Sequence, residues 1–514
     1  MLRLLTTLAL LAMPMAGSAK WMEASSPHFV IYADDTPTDI QRFSQQLERF
    51  HGAMALMLER SEDGPPSPSN RVTVYVVKSD REVRKLAGDK TGFTYAFYQP
   101  RAGGSYAIVP TISSDGDSLS FSMIALLHEY AHHFQLSTSR ENWPRWFVEG
   151  SAEFFASAKF EKDGNLTLGL AAQHRAAELF HAPDVSVTDL LDPDTYEKRR
   201  RKGFDAYYGK AWLLYHYLTF SQSRKGQFPE YLRLLRSGKS SIEAARAAFG
   251  DLAVLEKDVE RYKLGKLTAL RLNPGLLKTS PVTLRELSAG EAVIMPVRIR
   301  SRRGVTREEA IELVPEARAI AARFPSDAAV LTALAEAEVD SGNPDAAITA
   351  ADAALALDPR QVNAHIQKGL ALFEKAETAQ DKAKAYRDAR AAFLKLNQIE
   401  NDHPLPLMYF YMSYLRQGAV PGENAVNALE RASELAPFDL GLRYTLVMQQ
   451  IRDKRYEDAA FNLAPIAYNP HGSGTEKARK LLDRLKENKE ITPVELEALM
   501  AADETEGEEP SANR

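Results

Sequence analysis

Two short runs of β-branched and aromatic residues, His28-Phe29-Val30-Ile31-Tyr32-Ala33 and Arg71-Val72-Thr73-Val74-Tyr75-Val76-Val77, read as strands, and between them residues 38–60 place apolar side chains at helical spacing. This predicts an α/β region over residues 20–115. A third strand is expected at Gly103-Gly104-Ser105-Tyr106-Ala107-Ile108-Val109-Pro110, either as a sheet edge to which an extended peptide can add or as an ordinary internal strand. Residues 116–266 carry a mainly helical pattern, interrupted by a hairpin-like turn at Lys162-Asp163-Gly164-Asn165. Residues 267–304, with Pro274, Pro281 and Pro296 among short β-branched runs, read as a linker.

Beyond the linker, residues 305–480 repeat. If Pro359 closes a helix-turn-helix unit of about 34 residues, Leu331 and Leu334 fall on its first helix, Gly342 in the turn, and Ala347 and Ala354 on the second. A unit ending at Pro437 repeats this with Tyr409, Met412, Ala425 and Ala432. An intervening unit with Gly369, Ala385, Ala389 and Ala392 carries an insertion around residues 375–384, and a looser copy runs through Leu442, Ala459, Ala460 and Pro470. The pattern is tetratricopeptide-like (TPR-like). One helix pair cannot bury its apolar face alone, so such units stack into a curved solenoid whose concave surface commonly receives a protein partner.

The chemistry concentrates in His128-Glu129-Tyr130-Ala131-His132 and in Trp146-Phe147-Val148-Glu149-Gly150-Ser151-Ala152-Glu153. On a helix, positions i and i+4 share a face, so His128 and His132 can reach one metal ion; His133 points away and reads as an outward or second-layer residue. A catalytic zinc takes three protein ligands, and the chain has no cysteine to offer a thiolate. Glu149 is the best third ligand, because it follows a Pro144 helix start and Gly150 leaves room for close packing. Glu153, one turn on, can accept the second ring N–H of a ligating histidine. Glu129 is the natural general base on zinc-bound water, whose pKa the metal lowers to about 7. A phenol from Tyr207 or Tyr208 can stabilise the oxyanion.

These two motifs resemble the gluzincin peptidases, the M1 aminopeptidase-like clan and its bacterial peptidase MA-like relatives. The resemblance implies zinc on His128, His132 and Glu149, with Glu129 as base. It also implies an oxyanion-stabilising tyrosine, for which Tyr208-Gly209-Lys210-Ala211 matches the M1 pattern best; Tyr208 is taken and Tyr207 held in reserve. The M1 Gly-x-Met-Glu-Asn segment that grips a free amino terminus does not occur here, so an endopeptidase or unassigned peptidase is expected rather than an aminopeptidase. The implied fold class is an α+β zincin-like catalytic region, its helical part at 116–266, followed by an all-α TPR-like solenoid.

Residues 1–19 have the form of a secretory leader, with Arg3, a short apolar core and Gly17-Ser18-Ala19 before the cut. A periplasmic or secreted protein is expected, with no integral membrane span once the leader is removed. The formal net charge of −5 and the absence of an aromatic-basic module argue against nucleic-acid binding, and Lys198-Arg199-Arg200-Arg201-Lys202 reads as a solvated loop. Residues 481–514 read as an acidic disordered tail containing Asp503-Glu504-Thr505-Glu506-Gly507-Glu508-Glu509. The expectation is an exported zinc peptidase acting on protein or peptide substrates, its repeats binding substrate or a protein partner. The alternative is a catalytically inactive exported TPR scaffold or adaptor with a peptidase-like domain.

Overall fold

The computed structural model describes residues 20–496 apart from 61–65, 91, 93, 113–118, 139–140, 142, 200–203, 278–280, 470–474, 488–489 and 493–494. The leader at 1–19, the acidic run at 503–509, Pro470 and the basic residues 200–202 lie outside the described residues.

Strands β1 (Met22–Ser25), β2 (Phe29–Ala33), β3 (Val72–Val76), β4 (Phe97–Gln99) and β5 (Tyr106–Val109) form most of the first sheet. A second sheet joins β6 (Lys159–Phe160), β7 (Leu166–Leu168) and β8 (Leu270–Leu272), and β9 (Thr283–Glu286) then returns to the first, giving the order β4-β5-β3-β2-β1-β9. The pairs β2/β3 and β3/β5 are parallel; the remaining pairs are antiparallel. Helix α1 (Pro37–Met57) is capped by the Thr36 hydroxyl, which accepts from the Asp39 amide, and α2 (Asp80–Ala87) ends on Gly88 at φ +68°.

Helices α3 (Phe121–Thr138) and α4 (Arg145–Ala156) follow the sheet. Next come the short helices α5 (Ala176–His181), α6 (Val187–Leu191) and α7 (Pro193–Arg199), then α8 (Tyr207–Phe220), α9 (Gln227–Arg236), α10 (Ser241–Phe249) and α11 (Leu252–Lys263). Strand β2 is buried on both faces, as a central strand flanked by helices must be: Phe29, Ile31 and Ala33 pack into one core with α1 and α3, and Val30 and Tyr32 into another.

One expectation is corrected here, and one open alternative is decided. Residues 267–304 are not a bare connector: they supply β8, β9 and α12 (Ala289–Arg303), whose Met295 and Ile299 cover the second face of the sheet. A capping box between Ser288 and Glu291 starts α12, and Pro296 is accommodated inside it, so proline content does not mark a linker here. The strand at 103–110 is internal, because β5 pairs with both β3 and β4; the edge belongs to β4.

The second half is an array of helix pairs. After α13 (Arg307–Arg323) come α14 (Ala328–Asp340) with α15 (Pro344–Leu357), α16 (Val362–Glu377) with α17 (Lys382–Ile399), α18 (Pro404–Arg416) with α19 (Glu423–Leu435), and α20 (Leu440–Arg452) with α21 (Tyr456–Ala467). Small residues sit where helices touch: Ala347 and Ala354 are fully buried, and a Cβ at Gly369 would collide with the Phe393 ring. Gly342 takes φ +68° in the first turn. The helical repeat also reaches further than expected, since Leu481, Leu482 and Leu485 of α22 (Thr475–Lys486) are buried, so the tail cannot begin at 481. No helix among the described residues is long and apolar enough to cross a membrane.

The array bends back onto the α/β layer. The Glu400 carboxylate accepts from the Ser69 amide at 2.9 Å, the Ser69 hydroxyl at 2.8 Å and the Ser67 hydroxyl, while Asp439 accepts from the Ala102 amide at 2.8 Å. Glu400→Ala leaves those donors without their acceptor. It should lower the free energy of unfolding by about 1–3 kcal/mol in urea denaturation; an unmoved midpoint would show that docking does not depend on this carboxylate.

A candidate metal centre

Helix α3 is apolar through Met123, Leu126 and Leu127, which anchor it in the core and leave His128 and His132 one turn apart on its other side. Helix α4 starts at the Pro144 cap and carries Glu149 and Glu153 one turn apart. It lies against α8 so closely that a Cβ at Gly150 would collide with the Ala211 carbonyl oxygen. Gln135 of α3 donates to the Ser151 hydroxyl of α4 at 2.9 Å, fixing how the two helices face each other.

This packing brings the three predicted ligands together. His128 Nε2 and His132 Nε2 are 3.0 Å apart, and they stand 3.5 and 3.4 Å from Glu149 Oε2. Donors about 2.0–2.2 Å from a tetrahedral zinc are separated by about 3.3–3.5 Å, so the triangle matches one face of such a site. Glu149 is 0% exposed, and a buried carboxylate facing two imidazoles needs positive charge between them. These residues could hold one metal ion. A second group of carboxylates, Asp184, Glu256 and Glu260, is accounted for without one: the Lys210 ammonium reaches Glu256 at 2.7 Å and Glu260 at 2.5 Å.

Glu153, 1% exposed, is a hub. Its Oε1 lies 3.2 Å from His128 Nδ1 and accepts from Arg175 Nε at 3.0 Å, while its Oε2 is 2.5 Å from His174 Nε2. Burial opposes its charge, but Arg175, His128 and His174 outweigh that and hold its pKa well below the usual carboxylate range. Burial likewise opposes protonation of His128, yet Glu153 and Glu149 carry its pKa up to about 10. With Nδ1–H donated to Glu153, the Nε2 lone pair faces the other two donors.

His174 and Arg175 were not singled out in the sequence. They occupy a 3-10 turn, Gln173–Arg175, after the β6/β7 hairpin, and no spacing signal ties them to a glutamate on α4.

Glu129 is half-buried and lines the same cavity as His128, His132 and Glu149. Tyr208 lines it too, whereas Tyr207 is buried between the Tyr196 ring, 4.7 Å between centroids, and the Arg145 guanidinium, 4.3 Å from its ring. His133 points away from the triangle but is not outward: it is buried between the Tyr98 hydroxyl, 2.5 Å from its Nδ1, and the Phe438 ring of the repeat array, 4.6 Å away. Burial, with His51 and His28 adding to it, takes its pKa down to about 3.

The cavity holds about 1690 Å³, with the α3/α4 residues on one wall and Asn363, Leu370 and Tyr409 of the repeats on another. Small-molecule pockets span about 300–1,000 Å³, so this space suits a larger occupant.

Residues 123–240 match a family described as a protein of unknown function, DUF1570. A thermophilic TPR protein of Thermus thermophilus is 15% identical, with 39% of this chain and 98% of that chain covered at a TM-score of 0.32. Yeast Tom70 is 15% identical, with 75% and 79% covered at a TM-score of 0.27. No curated protein matches. None of these descriptions assigns a peptidase activity, and the repeat array rests on the helix pairs themselves rather than on these distant likenesses.

Three outcomes follow from the geometry. In metal-free protein the His128 pKa is raised from 6.5 to about 10, so the stability it contributes is complete below about 6.5 and is lost as pH rises through about 10; the thermal midpoint should fall across that window. Zinc competes for the same proton, so calorimetry at neutral pH in buffers of different ionisation heat should show proton release on zinc addition. Glu153→Gln should weaken zinc binding by about 10–100-fold in competition with a chromophoric chelator. Unchanged affinity would remove its orienting role.

Proposed function

We propose that this chain is an exported zinc-dependent peptidase, periplasmic or secreted, that hydrolyses protein or peptide substrates with a gluzincin-like centre in a zincin-like region. The observation that carries the reading is the His128–His132–Glu149 triangle, with edges of 3.0, 3.4 and 3.5 Å, opening on a cavity that Glu129 and Tyr208 also line. A zinc ion held there supplies a Lewis acid that polarises a carbonyl and acidifies water.

The residues then divide the work. Glu129 takes a proton from the attacking water and returns it to the leaving amine. The Tyr208 hydroxyl donates to the oxygen of the scissile carbonyl as negative charge develops on it. Glu153 keeps His128 in the tautomer whose Nε2 faces the ligand triangle, and Arg175 and His174 keep Glu153 ionised and in place. The repeats, which line the same cavity, bind substrate or a partner protein.

A second reading, a catalytically inactive exported TPR scaffold or adaptor, is favoured by the repeat array, the part of the chain that stands on observed helix pairs alone.

Glu129→Gln separates the two. Purified wild-type protein loaded with zinc should cleave an unstructured polypeptide, and Glu129→Gln should keep its zinc while losing about 10²–10⁴-fold in kcat. Stoichiometric zinc without cleavage by the wild type would support the scaffold, and full activity in Glu129→Gln would eliminate the mechanism.

A further inference from the structure

Two arginines contact the Tyr208 side chain, and a buried glutamate binds the backbone beside it. Arg145, the first residue of α4 and one turn before Glu149, hydrogen-bonds the Tyr208 side chain, and its guanidinium carbon lies 6.0 Å from the ring centroid. The Arg175 guanidinium carbon lies over the same ring, 4.8 Å from its centroid. Glu178 accepts the Gly209 amide at 2.6 Å near the start of α8 and receives Arg175 at 3.3 Å, so the backbone next to Tyr208 is pinned to the same arginine. Glu178 is 2% exposed and Tyr208 lines the cavity.

We propose that Arg145 is a positioning residue for Tyr208, turning the phenol so that its hydrogen points into the cavity toward the substrate carbonyl. This rests on the peptidase reading above. A phenol carries one hydrogen to donate and lone pairs to accept with. Arginine is always protonated and has no acceptor, so the Arg145–Tyr208 bond can run only from guanidinium to phenol oxygen. That bond occupies a lone pair and directs the hydrogen elsewhere. It also draws electron density from the oxygen, which makes the remaining O–H the stronger donor. Because Arg145 and Glu149 share one face of α4, the same helix sets the position of a metal ligand and the aim of the phenol.

The test compares Arg145→Gln, Arg145→Lys, Tyr208→Phe and the double variant Arg145→Gln/Tyr208→Phe in the full chain. With zinc loaded and an unstructured fluorogenic polypeptide as probe, Arg145→Gln should lower kcat by about tenfold or more and leave KM within about twofold, as expected for a contact that acts through the transition state. Zinc content should not change, Arg145→Lys should recover part of the loss, and the double variant should be no slower than Tyr208→Phe alone. A second readout needs no turnover: in metal-free protein labelled with 3-fluorotyrosine, the ¹⁹F resonance missing from Tyr208→Phe should shift and broaden in Arg145→Gln and return toward its place in Arg145→Lys. An unmoved resonance, or losses that multiply independently in the double variant, would overturn the assignment. If the wild type cleaves nothing, the peptidase reading fails, and the fluorine resonance still decides whether Arg145 holds the phenol.

Discussion

Two carboxylates one turn apart on α4, Glu149 and Glu153, are 0% and 1% exposed, and the surrounding structure is arranged to compensate them. An ionised carboxylate taken out of water costs several kcal/mol unless charge and hydrogen bonds are returned to it. Glu153 receives them from Arg175, His174 and His128, three groups on two separate segments. Glu149 faces two imidazole nitrogens at hydrogen-bonding to ion-pair range, which is the environment a divalent cation would complete. Meeting this requirement forces α3, α4 and the Gln173–Arg175 turn into one place, and Gly150 permits α8 to close the group from behind.

Once those helices are set, the cavity and its second wall follow. The repeat array is bound to the α/β layer through Glu400 and Asp439 and to α3 through the Phe438 ring on His133, and its inner residues line the same cavity as His128, His132 and Glu149. This links the two readings of the chain. The array is a scaffold in either case, and the question of chemistry is confined to the side chains of α3, α4 and α8. The helix α12 matters here as well, because it covers one face of the sheet through Met295 and Ile299 and packs Ile294 and Val297 into a separate core with α13 and α14, so one helix belongs to both halves.

Much of this was legible along the chain. The helical period alone put His128 and His132 on one face and Glu149 and Glu153 on another, and the strand-like runs at Phe29–Ala33 and Val72–Val76 became central strands. Gly342, Ala347 and Ala354 marked a helix pair because the turn takes a left-handed backbone at Gly342 and close helix contact favours small residues at the two alanines. Such features depend on neighbours within a few residues, and local geometry is nearly the same in every fold.

Other features had no local signature. The pairing of His174 and Arg175 with Glu153, the burial of His133 under Phe438, the internal place of β5 and the conversion of 267–304 into strands and a covering helix each join segments that are distant in sequence. The choice between Tyr207 and Tyr208 is of the same kind: adjacent side chains leave a helix about 100° apart, and only the packing of Arg145 and Tyr196 decides which one meets the cavity. The sequence by itself determined which residues could act together on one element, since the period of a helix or strand is a property of the backbone. The tertiary structure decided which elements meet, since that depends on burying charge and apolar surface from the whole chain at once.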